Sequence, residues 1–197
     1  MKKASFIILI SMIGLLSQAI GQTKNSTVEI TTTDITLNPN LKSDQISVFG
    51  IKLGMSKADV NKLLKDNSRL YYYVDEKHTT QDHRIYVYDK DEQGEKKNCI
   101  LYLIWADNSN KLTTITFFEN FAPYLKGTTA ALLTFDPLDP DSKISKDYLG
   151  KPDSSKVTLD VAIIHLKHTT YYYKAKGIQF TLKESDGEKT SVFQFYL

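Results

Sequence analysis

Apolar and polar residues alternate along two stretches of this chain, residues 100–118 (ILYLIWADNSNKLTTITFF) and residues 178–196 (IQFTLKESDGEKTSVFQFY). A period of two puts successive side chains on opposite faces of an extended strand. Each alternation is interrupted once, by Asp107-Asn108-Ser109-Asn110 and by Ser185-Asp186-Gly187-Glu188. These residue types tolerate tight backbone geometry, so each stretch predicts a β-hairpin. The two align without a gap at an offset of 78: Ile100 meets Ile178, Tyr102 meets Phe180, Lys111 meets Lys189 and Phe117 meets Phe195.

A helix signal precedes each hairpin. Ser56-Lys57-Ala58-Asp59 has the form of a capping box with Asp as its acid, and Val60, Leu63 and Leu64 follow at helical spacing. Further on, Ser142-Lys143 opens a second helix, Ile144 and Tyr148 lie one turn apart, and Gly150 with Pro152 ends it. Residues 70–74 and 84–88 are strand candidates between the first helix and its hairpin, and residues 161–166 and 170–174 occupy that place in the second copy. The expected fold is therefore α+β: two related modules, each a short helix region on an antiparallel β-meander. Residues 47–118 form module one and 136–197 module two, joined by a partly helical connector at 119–135. Residues 22–46 are a Thr-rich extension in which 28–37 form an edge strand or stay mobile.

The alternation also predicts faces. In the second hairpin Ile178, Phe180 and Leu182 are apolar while Gln179, Thr181 and Lys183 are polar, so the apolar set faces the helices. Transferred to the first hairpin at the same offset, that register sends Ile100, Tyr102 and Ile104 inward. It leaves Leu101, Leu103 and Trp105 outward, with Phe118 and Tyr196 on the same outer face, and a slip of one residue would reverse the assignment. In the triplets Tyr71-Tyr72-Tyr73 and Tyr171-Tyr172-Tyr173 the middle ring points opposite to its neighbours, and Tyr172, Lys174 and Lys176 share a face in a continuous strand. Leu101, Leu103, Trp105, Phe118, Tyr172 and Tyr196 are thus the candidate partner-binding residues, unless the chain itself covers them.

Charge alters this picture little. Residues 1–21 read as a secretory signal peptide: Lys2 and Lys3, an uncharged and mostly apolar run over 4–16, then small residues at Ala19 and Gly21. That run is too short to span a bilayer, and no cysteine follows it to take a lipid. The leader carries two lysines and no acid, so the 25 bases and 23 acids of the whole chain become an even balance without it. Nothing in that balance points to nucleic acid. The expected destination is the periplasm or the exterior, for a chain without a transmembrane segment.

Candidate chemistry is sparse. Cys99 is the single cysteine, so no intrachain disulfide forms. It reads as a small core residue rather than a nucleophile or an intermolecular bridge. His165 and His168 are three apart in a strand-like run, on opposite faces, and His78 and His83 lie in a polar stretch, so no metal site is expected. The run Asp136-Pro-Leu-Asp139-Pro-Asp141 lacks the glycine and glutamate of a calcium loop and reads as a turn into the second helix. There is no nucleophile elbow, phosphate-binding glycine loop or His-Glu-x-x-His, and no catalytic residue or cofactor is assigned.

The run Gly50-Ile-Lys-Leu-Gly-Met-Ser-Lys-Ala-Asp-Val and the run Tyr148-Leu-Gly-Lys-Pro-Asp before tyrosine-rich strands resemble the helix-then-meander modules of the SmpA/OmlA outer-membrane assembly lipoproteins. Two in tandem are similar to the beta-lactamase inhibitor proteins. The resemblance covers about 47–197 and implies helices on one sheet face, with the other available to a protein. The chain departs from both groups, lacking the lipid-attachment cysteine of one and the disulfides of the other. The expected function is an exported, non-enzymatic protein-binding module: an inhibitor, an immunity factor or an envelope-assembly accessory. A glycan- or cell-wall-binding module is the alternative, and a hydrolase a further one.

Overall fold

The computed structural model describes residues 27–75, 83–106, 109–139, 141–160 and 166–197. The predicted leader, His78, His165 and part of the first predicted turn lie outside them. The fold is α+β, built on one large antiparallel sheet. Its strands are β4 (Leu70–Asp75), β5 (His83–Lys90), β6 (Lys96–Trp105), β7 (Leu112–Phe117), β8 (Ser154–Asp160), β9 (Leu166–Tyr173), β10 (Ile178–Ser185) and β11 (Glu188–Tyr196). They lie side by side in the order β4-β5-β6-β7-β11-β10-β9-β8. Strands β1 (Val28–Glu29), β2 (Ile46–Val48) and β3 (Ile51–Lys52) form a small second sheet, with β1 parallel to β2.

Local chemistry explains the elements that the sequence predicts. Helix α1 (Lys57–Asp66) starts at Ser56, whose hydroxyl oxygen accepts the Asp59 N–H at 3.1 Å and donates to the Asp59 carboxylate at 2.6 Å. Val60 and Leu64 are buried one turn apart. The second predicted helix is short: Lys143 and Ile144 lead into a π-type turn, Ser145–Leu149, which Gly150 ends by donating to the Ser145 carbonyl at 2.8 Å. Asp186 (φ +50°) and Gly187 (φ +86°) make the two-residue turn joining β10 to β11, the backbone geometry that matches strand twist. The connector forms two 3-10 segments, Glu119–Tyr124 and Gly127–Thr134.

One face of the large sheet carries the core. Ile85, Val87, Leu101, Leu103, Trp105, Ile115, Phe117, Phe193, Phe195, Ile178 and Phe180 are almost wholly buried there. Over them lie the small sheet (Ile46, Val48, Ile51), α1 and the connector (Phe121, Leu132, Leu133). The N-terminal extension belongs to this layer. It is an edge strand for only two residues, and Ile30 and Ile35 are fully buried.

Two carboxylates fix that extension. Glu29 accepts from Ser47 Oγ at 2.7 Å and from the N–H groups of Phe49 and Gly50 at 2.9 and 3.0 Å, holding the β2–β3 turn. Asp34 accepts from the hydroxyls of Thr36, Thr128 and Thr129 at 2.6, 2.8 and 2.9 Å and from the Thr128 N–H at 2.6 Å. Gly127, at φ +54°, permits this approach, because a Cβ there would collide with the Asp34 carboxylate.

The second copy differs from expectation upstream of its hairpin. The strand is β8 at 154–160, ahead of the predicted 161–166, of which 161–165 lie outside the described residues. The chain also leaves the sheet after Tyr173. Lys174–Lys176 form a 3-10 turn, so Lys174 and Lys176 do not extend the Tyr172 strand face. Lys176 Nζ reaches the Pro39 carbonyl and sits 4.4 Å above the Tyr148 ring centroid.

Candidate functional site

The face assignment of the first hairpin is corrected. Leu101, Leu103 and Trp105 have no exposed surface, and Tyr102 and Ile104 take the other face. The reason is a difference of one residue between the hairpins. Leu101 pairs with Phe117 and Leu103 with Ile115, whereas Ile178 pairs with Phe195 and Phe180 with Phe193. The strands after the turns thus match at an offset of 78 and the strands before them at 77. That residue is Thr113: nearer the turns the hairpins still agree at an offset of 78, Trp105 pairing with Leu112 as Lys183 does with Thr190, and the shift between Ile104 and Trp105 leaves Thr113 over as a bulge whose hydroxyl donates to the Ile104 carbonyl at 3.0 Å. The bulge brings Leu112 inside, opposite Trp105, whose indole N–H donates to the Met55 carbonyl at 3.2 Å.

Phe118 also leaves the predicted surface. It is half-buried one residue beyond β7, where the chain turns into the 119–124 segment and its N–H bonds the Ile100 carbonyl at 3.1 Å. Tyr172 and Tyr196 are half-buried on the sheet face opposite the core. The tyrosine triplets alternate as expected: Tyr171 and Tyr173 are buried and Tyr72 packs against the core, while Tyr71 and Tyr73 are 42% and 45% exposed.

This second face is the candidate site. One lateral row crosses the whole sheet through register partners: Tyr73, Tyr86, Tyr102, Thr116, Gln194, Gln179, Tyr172 and Ser154. Such cross-strand neighbours lie close enough for direct side-chain contact. Tyr86 and Tyr102 are stacked with ring centroids 4.6 Å apart. At the centre Gln194 Nε2 donates to Thr116 Oγ1 at 2.7 Å, and the Gln179 amide donates to Gln194 Oε1. Beside the row, Tyr71 meets Tyr88 edge-on at 6.1 Å, and Lys96 Nζ stands 3.9 Å above the Tyr88 ring. None of these side chains belongs to the hydrophobic core.

The two halves of the face differ in chemistry. Toward β4 it is aromatic. Toward β8 it carries Thr170 and Thr181, whose hydroxyls lie 3.0 Å apart, with Lys156 in the same row and His168 and Lys183 in the next. Tyr196 Oη and His168 Nε2 are enclosed without a hydrogen-bond partner among the described residues. Burial raises the Tyr196 pKa, and the nearby Asp153 carboxylate and Tyr172 hydroxyl add to the rise. This is a surface of flat rings, amides and hydroxyls, suited to broad non-covalent contact.

The remaining candidates are placed as follows. Cys99 is half-buried; burial pushes its thiol pKa up to about 11, more than the Lys96 charge and a hydrogen bond with the Leu101 backbone lower it. The acidic run forms side-chain-capped turns, Asp136 accepting the Leu138 N–H at 2.8 Å and Asp139 the Asp141 N–H at 2.9 Å. Among the described residues no three His, Cys, Asp or Glu side chains converge as a metal site would require. No described helix is long and apolar enough to cross a membrane. Compared with known proteins, the chain matches no family model, no curated sequence and no solved structure.

Proposed function

We propose that this chain is an exported, non-enzymatic protein-binding module whose partner lies across the tyrosine-bearing sheet face. The observation that carries the reading is the row from Tyr73 to Tyr172, aromatic at both ends and amide-bridged in the middle, on the face without the core. Tyrosines anchor protein interfaces because they bury a large rigid area and keep a hydroxyl for the rim. Of the residues first assigned from the sequence, Tyr172 and Tyr196 stay in the proposed surface, joined by Tyr71, Tyr73, Tyr86 and Tyr102.

The reading includes two related modules. The strand order mirrors itself about the β7–β11 junction, and there Thr116 pairs with Gln194, the residue 78 positions on. Kinship with the SmpA/OmlA modules, and a periplasmic or secreted destination, belong to the same proposal and rest on the sequence.

The test is capture from envelope extracts by wild type and by a Tyr86→Ala/Tyr102→Ala double variant. Loss of two central anchors weakens a specific complex by about thirtyfold or more. Equal capture by both forms removes the sheet-face model. The glycan reading is favoured by the placing of amides and hydroxyls beside stacked rings, and predicts binding to purified wall polysaccharide that Tyr172→Ala abolishes.

A further inference from the structure

Strand β8 is an outer edge of the large sheet, paired among the described residues on one side only, with β9. Folded proteins usually keep such edges short, charged or covered, because the unpaired backbone groups recruit another strand. β8 is seven residues long, and residues 154–159 are all exposed. Val157 and Leu159 are 55% and 66% exposed, on one side of the strand and beyond the reach of the core.

The order of residues on this edge is self-complementary. Lys156-Val157-Thr158-Leu159-Asp160 reads base, apolar, threonine, apolar, acid. Antiparallel pairing with another copy, centred on Thr158, sets position 156 against position 160 twice, a lysine opposite an aspartate each time. Val157 falls opposite Leu159 twice, and Thr158 opposite its own equivalent. Opposite charges, apolar pairs and threonine pairs are the cross-strand combinations that stabilise antiparallel ladders. A shift of the centre to Val157 sets Lys156 against Thr158 and Leu159 against Ser155, losing both charge pairs and leaving Val157 opposite its own equivalent as the one apolar pair. The other edge has no such order: β4 reads LYYYVD and contains an acid but no base to meet it.

We infer that β8 is a homodimerisation edge, where two copies join in antiparallel register about Thr158 into one continuous sheet. The two-fold axis stands normal to that sheet, so the tyrosine faces of both copies lie on the same side. A partner with repeated epitopes would then meet two surfaces at once, with the gain in avidity that linkage gives.

Sedimentation equilibrium of the purified protein across the micromolar range tests this, with Lys156→Asp, Asp160→Lys and their equimolar mixture. Wild type is expected to be a reversible dimer. Each single reversal sets like charges opposite each other twice and weakens the dimer by about tenfold or more. The mixture restores it, because a chain with acids at both positions then meets a chain with bases at both. Circular-dichroism melts matching wild type show that the variants fold. A wild type that stays monomeric, single reversals that dimerise undiminished, or a mixture of folded variants that stays monomeric would each overturn the inference.

Discussion

Gln194 Nε2 donates to Thr116 Oγ1 at 2.7 Å, and these two residues stand 78 positions apart in a chain whose hairpins align at that offset. The central pairing of the sheet therefore sets β7 against its counterpart β11, with the equivalent positions Thr116 and Gln194 face to face. The bond continues to the Gln179 amide, so three polar side chains satisfy one another where the Thr116 side is nearly closed to water. Gln194→Ala leaves Thr116 and Gln179 without that partner and should cost about 1–3 kcal/mol in urea unfolding. Replacing both ends of the bond, Thr116→Val with Gln194→Leu, should cost less than Gln194→Ala alone. A double variant less stable than the single one would show that the ladder does not act as a unit.

The two faces of β6 predict opposite outcomes for neighbouring residues. Trp105→Ala removes the largest fully buried side chain and its bond to Met55, and should destabilise by about 3–5 kcal/mol. Tyr102→Ala removes a half-buried ring stacked on Tyr86 and should cost about 1 kcal/mol. A charge at Trp105 would report on folding rather than on partner binding. Guanidinium midpoints in the reverse order would contradict the face assignment.

Asp34 makes the fold sensitive to acid. Burial raises its pKa, but hydrogen bonds from Thr36, Thr128 and Thr129 outweigh this and hold it at about 2, against an ordinary 3.8. A depressed folded-state pKa gives stability that is fully present above the unfolded value and lost as pH falls through the folded one. Stability should therefore drop between about pH 4 and pH 2, by an amount that solvent screening limits at this half-buried site. Glu29, also held below the ordinary range by bonds from Ser47, Gly50, Thr31 and Phe49 against its burial, acts in the same direction. Asp34→Asn should be less stable at neutral pH and flatter across that window. Thermal melts at pH 7 and pH 3 distinguish the two forms, and an unchanged acid slope would exclude the Asp34 contribution.

Cys99 should be a slow nucleophile. With its pKa near 11, only about one thiol in a thousand is ionised at pH 8, and the thiolate is the reactive form. Iodoacetamide should label native protein far more slowly than denatured protein, followed by mass spectrometry. Equal rates would mean that the thiol lies open to solvent.

Several elements were legible because their causes are local. The capping box at Ser56 needs only residues 56–59, the β10–β11 turn needs only Asp186 and Gly187, and the alternation in each tyrosine triplet follows from the strand period. Strand β8 lies ahead of the predicted 161–166 because the denser apolar run VAIIHL outweighs the two apolar residues, Val157 and Leu159, of the strand itself. Tyr86, Tyr88, Gln179 and Gln194 were not assigned to a site, although the Tyr86-Val87-Tyr88 alternation already separated two rings from the core side.

The sequence by itself determined that this is an α+β chain with two similar hairpins, and that each strand has one apolar and one mixed face. It could not determine which face of β6 lies inside. That choice rests on one residue: the first hairpin is shorter by one between Leu101 and Phe117 than the second between Ile178 and Phe195. A strand has two sides, so one residue left unpaired in β7, Thr113, exchanges the two faces of β6 relative to those of β10. Only the pairing of β6 with β7, closed over by Met55 and the covering layer, put Trp105 in the core and left the tyrosines outside.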